Sequence, residues 1–107
     1  MRRVTLRPLG HCAVIEVDGA LDVVSGHDLR QVFAEALHCT DGTLYLDLSR
    51  VTLGDDHGVA ALTGCSDQAI SARRVLMWSA CSRPLVRDLT LRGRLPPAFE
   101  RAGARPR

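Results

Sequence analysis

Apolar and polar residues alternate in the first part of the chain. A weak alternation over Val4–Leu9 and an apolar run over Cys12–Val17 predict two strands. A tight turn at Gly10–His11 joins them, and Asp18–Gly19 is expected to close the second strand before a loop.

The next segment changes to helical spacing. Ser25, followed three residues later by Asp28, predicts a capping box at the start of a first helix. The apolar residues of this helix share one face that needs a sheet to cover it: Leu29, Val32, Phe33, Ala36 and Leu37.

The clearest strand in the sequence is Thr43–Leu48, in which every second residue is Leu. A turn over residues 49–54 then leads to a second helix over residues 55–72, and Asp55 and Asp56 occupy its expected cap. The residues that recur at helical spacing in this segment are Val59, Leu62, Thr63, Ala69 and Ile70. Val59 and Leu62 are expected to face the core.

The remaining elements are shorter. The apolar run Val75–Trp78 predicts a strand inside the sheet, and Ser82 is expected to cap a third helix that tolerates Pro84 in its first turn. Leu85, Val86 and Leu89 should face inward, and Gly93 should end this helix. Phe99 is expected to dock on the core ahead of a flexible Arg/Pro tail over residues 100–107.

This order of strands and helices predicts an α/β fold. A mixed sheet of four to five strands should carry about three to four helices, within one domain over residues 1–99. The length of 107 residues allows one core, and 46% hydrophobic with 24% charged residues is typical of globular proteins.

Composition narrows the possible partners and compartment. The formal charge of +2 comes from Arg alone and is concentrated at both ends. The interior between these ends is net acidic, so nucleic-acid binding is not expected. No apolar stretch has the length of a signal peptide or a membrane span, so we expect a cytoplasmic protein with no membrane contact. Cys12, Cys39, Cys65 and Cys81 are far apart and are interpreted as free buried thiols.

The cluster of Asp55, Asp56 and His57 could be considered as a metal site or an acid–base pair. Adjacent residues on one helical turn point in different directions, however, and no second set of ligands converges on them by spacing. Phosphate-binding loops and nucleophile elbows are also missing from the sequence. We therefore expect no catalytic residue, no metal and no cofactor, and predict that the chain is not an enzyme.

The segment Leu44–Val59 resembles the core signature of the STAS family, in which an apolar strand ends in Asp-Leu-Ser and Asp-Ser-Ser-Gly begins a helix. Here the two motifs read Asp-Leu-Ser at 47–49 and Asp-Asp-His-Gly at 55–58. Val14–Asp22 is similar to the second strand of that family and its Gly-Glu-Leu-Asp turn. Val75–Leu89 is similar to the next strand and helix, so the resemblance covers roughly residues 4–99.

The resemblance is to the anti-sigma-factor antagonists within that family. It implies a domain that binds an anti-sigma factor, typically a serine kinase that phosphorylates the first Ser of Asp-Ser-Ser-Gly. That Ser corresponds to Asp56, which has no hydroxyl to phosphorylate. The partner-binding residues implied are Asp22, Asp55, Asp56, His57 and Gly58.

Several alternatives stay open at this point. Asp56 either mimics the phosphorylated state and weakens binding, or belongs to a pair that is permanently bound. Gly58 either admits the backbone of a partner or allows tight packing of the helix start. A self-associating scaffold, such as a homodimer, and a domain that senses a small molecule or nucleotide are the alternative functions.

Overall fold

A computed structural model describes residues 3–91 of the chain. It contains four strands, β1 (Val4–Leu9), β2 (Cys12–Leu21), β3 (Leu44–Gly54) and β4 (Leu76–Cys81), and three helices, α1 (Val23–Cys39), α2 (Asp56–Ser71) and α3 (Arg83–Leu91). The predicted α/β class and element order are confirmed. The predictions for Gly93, Phe99 and residues 100–107 lie outside the described residues.

The sheet is mixed, with the strand order β1-β2-β3-β4. β1 and β2 form the predicted antiparallel hairpin, whereas β3 pairs in parallel with both β2 and β4. Parallel neighbours require crossover connections, and α1 and α2 provide them. Within residues 3–91, β4 lies at the edge of the sheet, whereas the sequence predicted a strand inside it.

The core lies between one face of the sheet and the helices. Ile15, Leu46 and Leu48 are fully buried on that face and pack with α1 residues such as Leu29 and Phe33. The opposite face is polar and includes Thr5, Arg7, Glu16 and Asp47, which border a hollow of about 340 Å³. This distribution matches the alternation expected of a sheet with helices on one face.

Two predicted strand ends are wrong because pairing extends the strands beyond them. β2 continues through Asp18 and Gly19 to Leu21, and β3 continues through the predicted turn to Gly54. The register is irregular between Glu16 and Asp18 and again after Gly19, so the extra residues are accommodated as bulges. In β2 and β3, residues that are typical of turns therefore coincide with irregular pairing inside the strands and do not mark the strand ends.

Most of the predicted inward positions on the helices are confirmed. Leu29, Val32, Phe33 and Ala36 are buried as predicted, whereas Ile70 is 73% exposed because Ala69 takes the inward position beside it. Val75 precedes β4 and is exposed. Val86 is only half-buried, while Leu85 and Leu89 are buried as predicted. Ser82 caps α3 by accepting a hydrogen bond at 3.3 Å from the Leu85 amide.

The prediction of buried thiols is confirmed for Cys65 and wrong for Cys39, which is exposed, while Cys12 and Cys81 are half-buried. Burial raises the pKa of Cys65 to about 12, partly opposed by Arg30, and burial also raises the pKa of Cys81 to about 11. Both thiols therefore stay protonated at neutral pH.

Arg74 joins the end of α1 to the start of β3. Its guanidinium donates to the Leu37 carbonyl at 3.1 Å, to Thr40 Oγ1 at 2.8 Å and twice to the Gly42 carbonyl, at 3.0 and 2.7 Å. Because the acceptors belong to the last turn of α1, to its cap residue Thr40 and to the loop before β3, one side chain stabilises the whole connection.

We expect Arg74→Ala to lower the free energy of unfolding by about 2 to 3 kcal/mol, since it removes several charge-assisted hydrogen bonds. Urea denaturation followed by circular dichroism measures this change. Arg73→Ala is the control, because the neighbouring Arg73 is exposed. Equal stability of the two variants would contradict the bridging role.

Candidate functional site

The carboxyl ends of β2 and β3 lie side by side, and each strand leads directly into a helix. Leu21 and Gly54 are the last register pair of the two strands. The amide of Asp55 donates to the carbonyl of Leu21 at 3.1 Å and so connects the two turns. Because β2 and β3 are parallel, both helix starts lie at the same edge of the sheet.

Asp22 is the N-cap of α1. Its Oδ1 accepts hydrogen bonds from the amides of Val24 and Ser25, both at 3.1 Å. In return, Ser25 Oγ accepts from the Asp22 amide at 2.9 Å and donates to the Ala20 carbonyl at 2.7 Å. The predicted cap, Ser25 with Asp28, is wrong: Ser25 lies one turn inside the helix, 1% exposed, and completes a capping box begun by Asp22.

The hydrogen bond from the Ser25 amide is the main reason that the pKa of Asp22 lies below the usual 3.8. Desolvation opposes this effect, and the Ser25 hydroxyl, the Val24 amide and Arg3 support it. Because each of these donors favours the charged form, Asp22 is a carboxylate throughout the neutral range.

Asp55 is the N-cap of α2, as predicted. Its Oδ1 accepts from the amide of Gly58 at 2.9 Å, and it is half-buried. Asp56 and His57 follow in the first turn of α2, and both are exposed. We call Asp22, Asp55, Asp56 and His57 the acidic corner. The structure brings these four predicted residues to one edge of the sheet, with a helix start at the surface.

Gly58 is buried against the end of β2. A Cβ at this position would overlap the carbonyl group of Leu21 and crowd its side chain. Of the two explanations that the sequence left open, the structure therefore shows tight packing within the domain. Gly58 sets how closely α2 approaches β2.

Sequence reasoning missed the residue that holds the end of β3. Asp88 of α3 accepts a hydrogen bond at Oδ2 from the Gly54 amide at 3.0 Å, immediately before Asp55. The buried Leu85 packs beside the same glycine. α3 therefore fixes the β3–α2 turn, a contact between residues 34 positions apart that no local pattern indicates.

Exposed apolar side chains adjoin the acidic corner. Val23 and Val24 in the first turn of α1 are 59% and 67% exposed, and Leu53 near the end of β3 is 47% exposed. The exposure of Val23 and Val24 could have been suspected from the sequence, because both follow Asp22 directly, in a segment that the sequence pattern assigns to a loop. Apolar side chains bordered by charged ones are typical of protein-binding surfaces.

Metal binding finds no support in the described part of the chain. No group of three His, Cys, Asp or Glu side chains within residues 3–91 is placed to hold a metal ion. Over the same residues, no helix is both long and apolar enough to cross a membrane.

We expect Gly58→Ala to lower the free energy of unfolding by about 2 to 4 kcal/mol, because its methyl group meets backbone that cannot move aside. Chemical denaturation measures the loss. Gly64→Ala is the matched control on α2, since its methyl group would meet only the end of the flexible Arg30 side chain. The control should be neutral or up to about 1 kcal/mol more stable.

Asp22→Asn should make the stability of the domain less sensitive to acid. Folding lowers the pKa of Asp22 below its unfolded value of 3.8. The contribution of the ionised Asp22 to the free energy of unfolding is therefore fully present above pH 3.8, and it is lost as the pH falls through the pKa of the folded state. Asn can still accept the capping hydrogen bonds but does not titrate. Urea denaturation between pH 7 and pH 3 tests this, with Asp67→Asn as a control; equal acid sensitivity of wild type and Asp22→Asn would contradict it.

Comparison with solved structures places this arrangement among known folds. The unphosphorylated form of the anti-sigma factor antagonist SpoIIAA superposes with a TM-score of 0.72 at 18% identity, over 89% of this chain and 84% of that protein. An anti-sigma factor antagonist from Mycobacterium paratuberculosis gives 0.71 at 20% identity, over 92% and 88%. The protein Mglu gives 0.68 at 15% identity, but the match covers 78% of this chain and only 21% of Mglu.

No curated protein sequence matches the chain. The family model described as "Mlab, STAS domain" matches residues 4–95, which include every strand and helix of the described structure. The chain therefore belongs to the STAS domain family.

Proposed function

We propose that the chain is a non-enzymatic regulatory domain that binds an anti-sigma factor of the serine-kinase type through its acidic corner. By holding that partner, it influences sigma-factor-dependent transcription in the cytoplasm. The observation that carries this proposal is the pairing of two capped helix starts at one sheet edge, with Asp56 and His57 exposed. The likeness to two anti-sigma factor antagonists supports it.

The surface suits a protein partner. Val23, Val24 and Leu53 supply exposed apolar area next to carboxylates, a combination that gives both binding energy and orientation. Asp22 and Asp55 hold backbone amides in their own helices, so they are rigidly placed. A preorganised surface loses little entropy on binding.

Asp56 removes the phosphorylation switch that the STAS resemblance implies. A carboxylate has no hydroxyl to receive a phosphoryl group, yet it keeps about one negative charge at the position where phosphoserine would carry about 1.5 to 2. In our proposal the state of the surface is thus fixed by the sequence and not by a kinase. High affinity for the partner would indicate a permanently bound pair, and low affinity would indicate permanent mimicry of the phosphorylated form.

The partner is to be isolated by pull-down from the native cell extract and identified. Retention of a kinase-type anti-sigma factor supports the proposal. A mass in solution that rises with concentration, together with no such retention, would instead indicate a self-associating scaffold. A small molecule or nucleotide recovered with the purified chain would indicate a sensor.

Incubated with the captured kinase and ATP, the chain should take up no phosphate on residues 55–58, because no hydroxyl is present there. Mass spectrometry of the peptides checks this. Recovery of a phosphorylated residue in that turn would refute loss of the switch.

Asp56→Ser should change the affinity for the captured kinase by about 1 to 3 kcal/mol, because it removes a charge from the centre of the proposed interface. Isothermal titration calorimetry without ATP measures the change, and adding ATP tests whether the restored hydroxyl is phosphorylated. Asp67→Ser, an exposed position near the other end of α2, is the control. An unchanged affinity for Asp56→Ser would move the interface elsewhere.

A further inference from the structure

A groove lies between the first turns of α1 and α2, next to the acidic corner. Val23, His27 and Arg30 form one wall, and His57 and Ala60 form the other, around a volume of about 250 Å³. Among residues 3–91, no acidic residue lines it, although Asp55 and Asp56 lie directly before His57 in the chain. The groove therefore adds the positive charge of Arg30 and apolar side chains to a surface that also carries the carboxylates of the acidic corner.

The two helices meet closely at the floor of this groove. A Cβ at Gly26 would lie 3.1 Å from Cβ of Ala61 and 3.5 Å from the carbonyl of His57. The floor is therefore made of small residues in firm contact, and the two walls have a fixed spacing. A preformed cleft of this kind can accept a side chain from another molecule without opening.

Arg30 is the main charged group of the groove. Its guanidinium packs over Gly64, where a Cβ would lie 3.2 to 3.3 Å from three atoms of the group. Its one hydrogen bond within residues 3–91 is a long one, 3.4 Å, from Nη2 to the Ala60 carbonyl. In the same part of the chain, no carboxylate forms a salt bridge with it.

The exposed Arg30 guanidinium therefore has donors available for another molecule. Arg carries five N–H groups in a planar fork that fits a carboxylate through two parallel hydrogen bonds. Val23 and Ala60, which line the groove beside Arg30, offer apolar contacts to the residues that flank such a carboxylate. Charge and shape therefore favour an acidic side chain flanked by apolar ones.

We propose that the groove between α1 and α2 receives an acidic side chain of the partner protein, carried on a segment with apolar neighbours, and that Arg30 pairs with it. This inference rests on the proposed function in that it makes the groove part of the same interface. The interface would then present the positive Arg30 next to the negative acidic corner, and such a pattern of opposite charges fixes the orientation of the partner.

A peptide selection tests the groove without knowledge of the partner. A phage-displayed library of random twelve-residue peptides is panned against the wild-type chain, the Arg30→Glu variant and the Arg73→Glu variant. Arg73 is the matched control, because it is exposed and follows the far end of α2, about 24 Å from the start of this helix. Circular dichroism and thermal melts establish that all three chains are equally folded.

Peptides selected on the wild type should carry Asp or Glu beside an apolar residue. On Arg30→Glu this enrichment should fall about tenfold or reverse toward Arg and Lys, whereas Arg73→Glu should leave it unchanged. Added peptide should also shift the amide NMR signals of Gly26, Ala60 and Ala61. The same charge preference on wild type and Arg30→Glu, or shifts confined to other residues, would overturn the proposal.

The captured kinase separates this inference from the proposed function. About tenfold weaker binding of the kinase by Arg30→Glu, with Arg73→Glu unaffected, supports both proposals. Kinase binding that ignores Arg30 overturns the groove alone. An acidic peptide preference without any kinase retention overturns the proposed partner alone. A mass that rises with concentration in the wild type but not in Arg30→Glu would overturn the proposed occupant, because it would identify a second copy of the chain in the groove.

Discussion

The parallel pairing of β2 with β3 up to the Leu21–Gly54 pair is the constraint on which the rest of the structure depends. Pairing to this point places the Asp55 amide on the Leu21 carbonyl and Gly58 against the same residue. A register slip by one residue would turn the inward Leu side chains of β3 to the polar face. The burial of Leu44, Leu46 and Leu48 therefore also determines where the acidic corner lies.

Much of the fold could be predicted from hydrophobic spacing. Alternation in Thr43–Leu48 and helical spacing from Leu29 to Leu37 reflect burial on one face, which the structure confirms. The end of β2 could not be predicted, because Asp18 and Gly19 are typical of turns and only pairing with a distant strand keeps them in the sheet. The end of β3 was missed because its last residues stay in the sheet through the same pairing. The predicted α1 cap is misplaced for a related reason. Serine is a frequent N-cap residue, but the hydroxyl of Ser25 accepts a hydrogen bond from the amide of Asp22, which is the actual cap.

The candidate site was predictable in part. Asp55 is recognisable as a cap from the sequence, because a carboxylate directly before an apolar helical pattern is a common N-cap. The cap depends only on nearby residues, since Asp55 accepts its 2.9 Å hydrogen bond from the amide of Gly58, three residues later. Asp88 and Arg30 carry no such local signal, because the contacts of Asp88 with Gly54 and of Arg30 with α2 exist only after folding. The residues of the acidic corner therefore have two distinct roles, since Asp22 and Asp55 stabilise the helix starts while Asp56 and His57 extend from them.

The bond between Asp88 and Gly54 gives α3 an influence on a surface to which it does not itself belong. A substitution on α3 that shifts this helix by a fraction of an ångström would tilt the start of α2, because Leu85 and Asp88 both bear on Gly54. In the proposed interface, specificity for one partner over another would thus diverge among relatives whose corner residues are identical. Differences in α3 would then be a source of selectivity that comparison of the exposed residues alone would overlook.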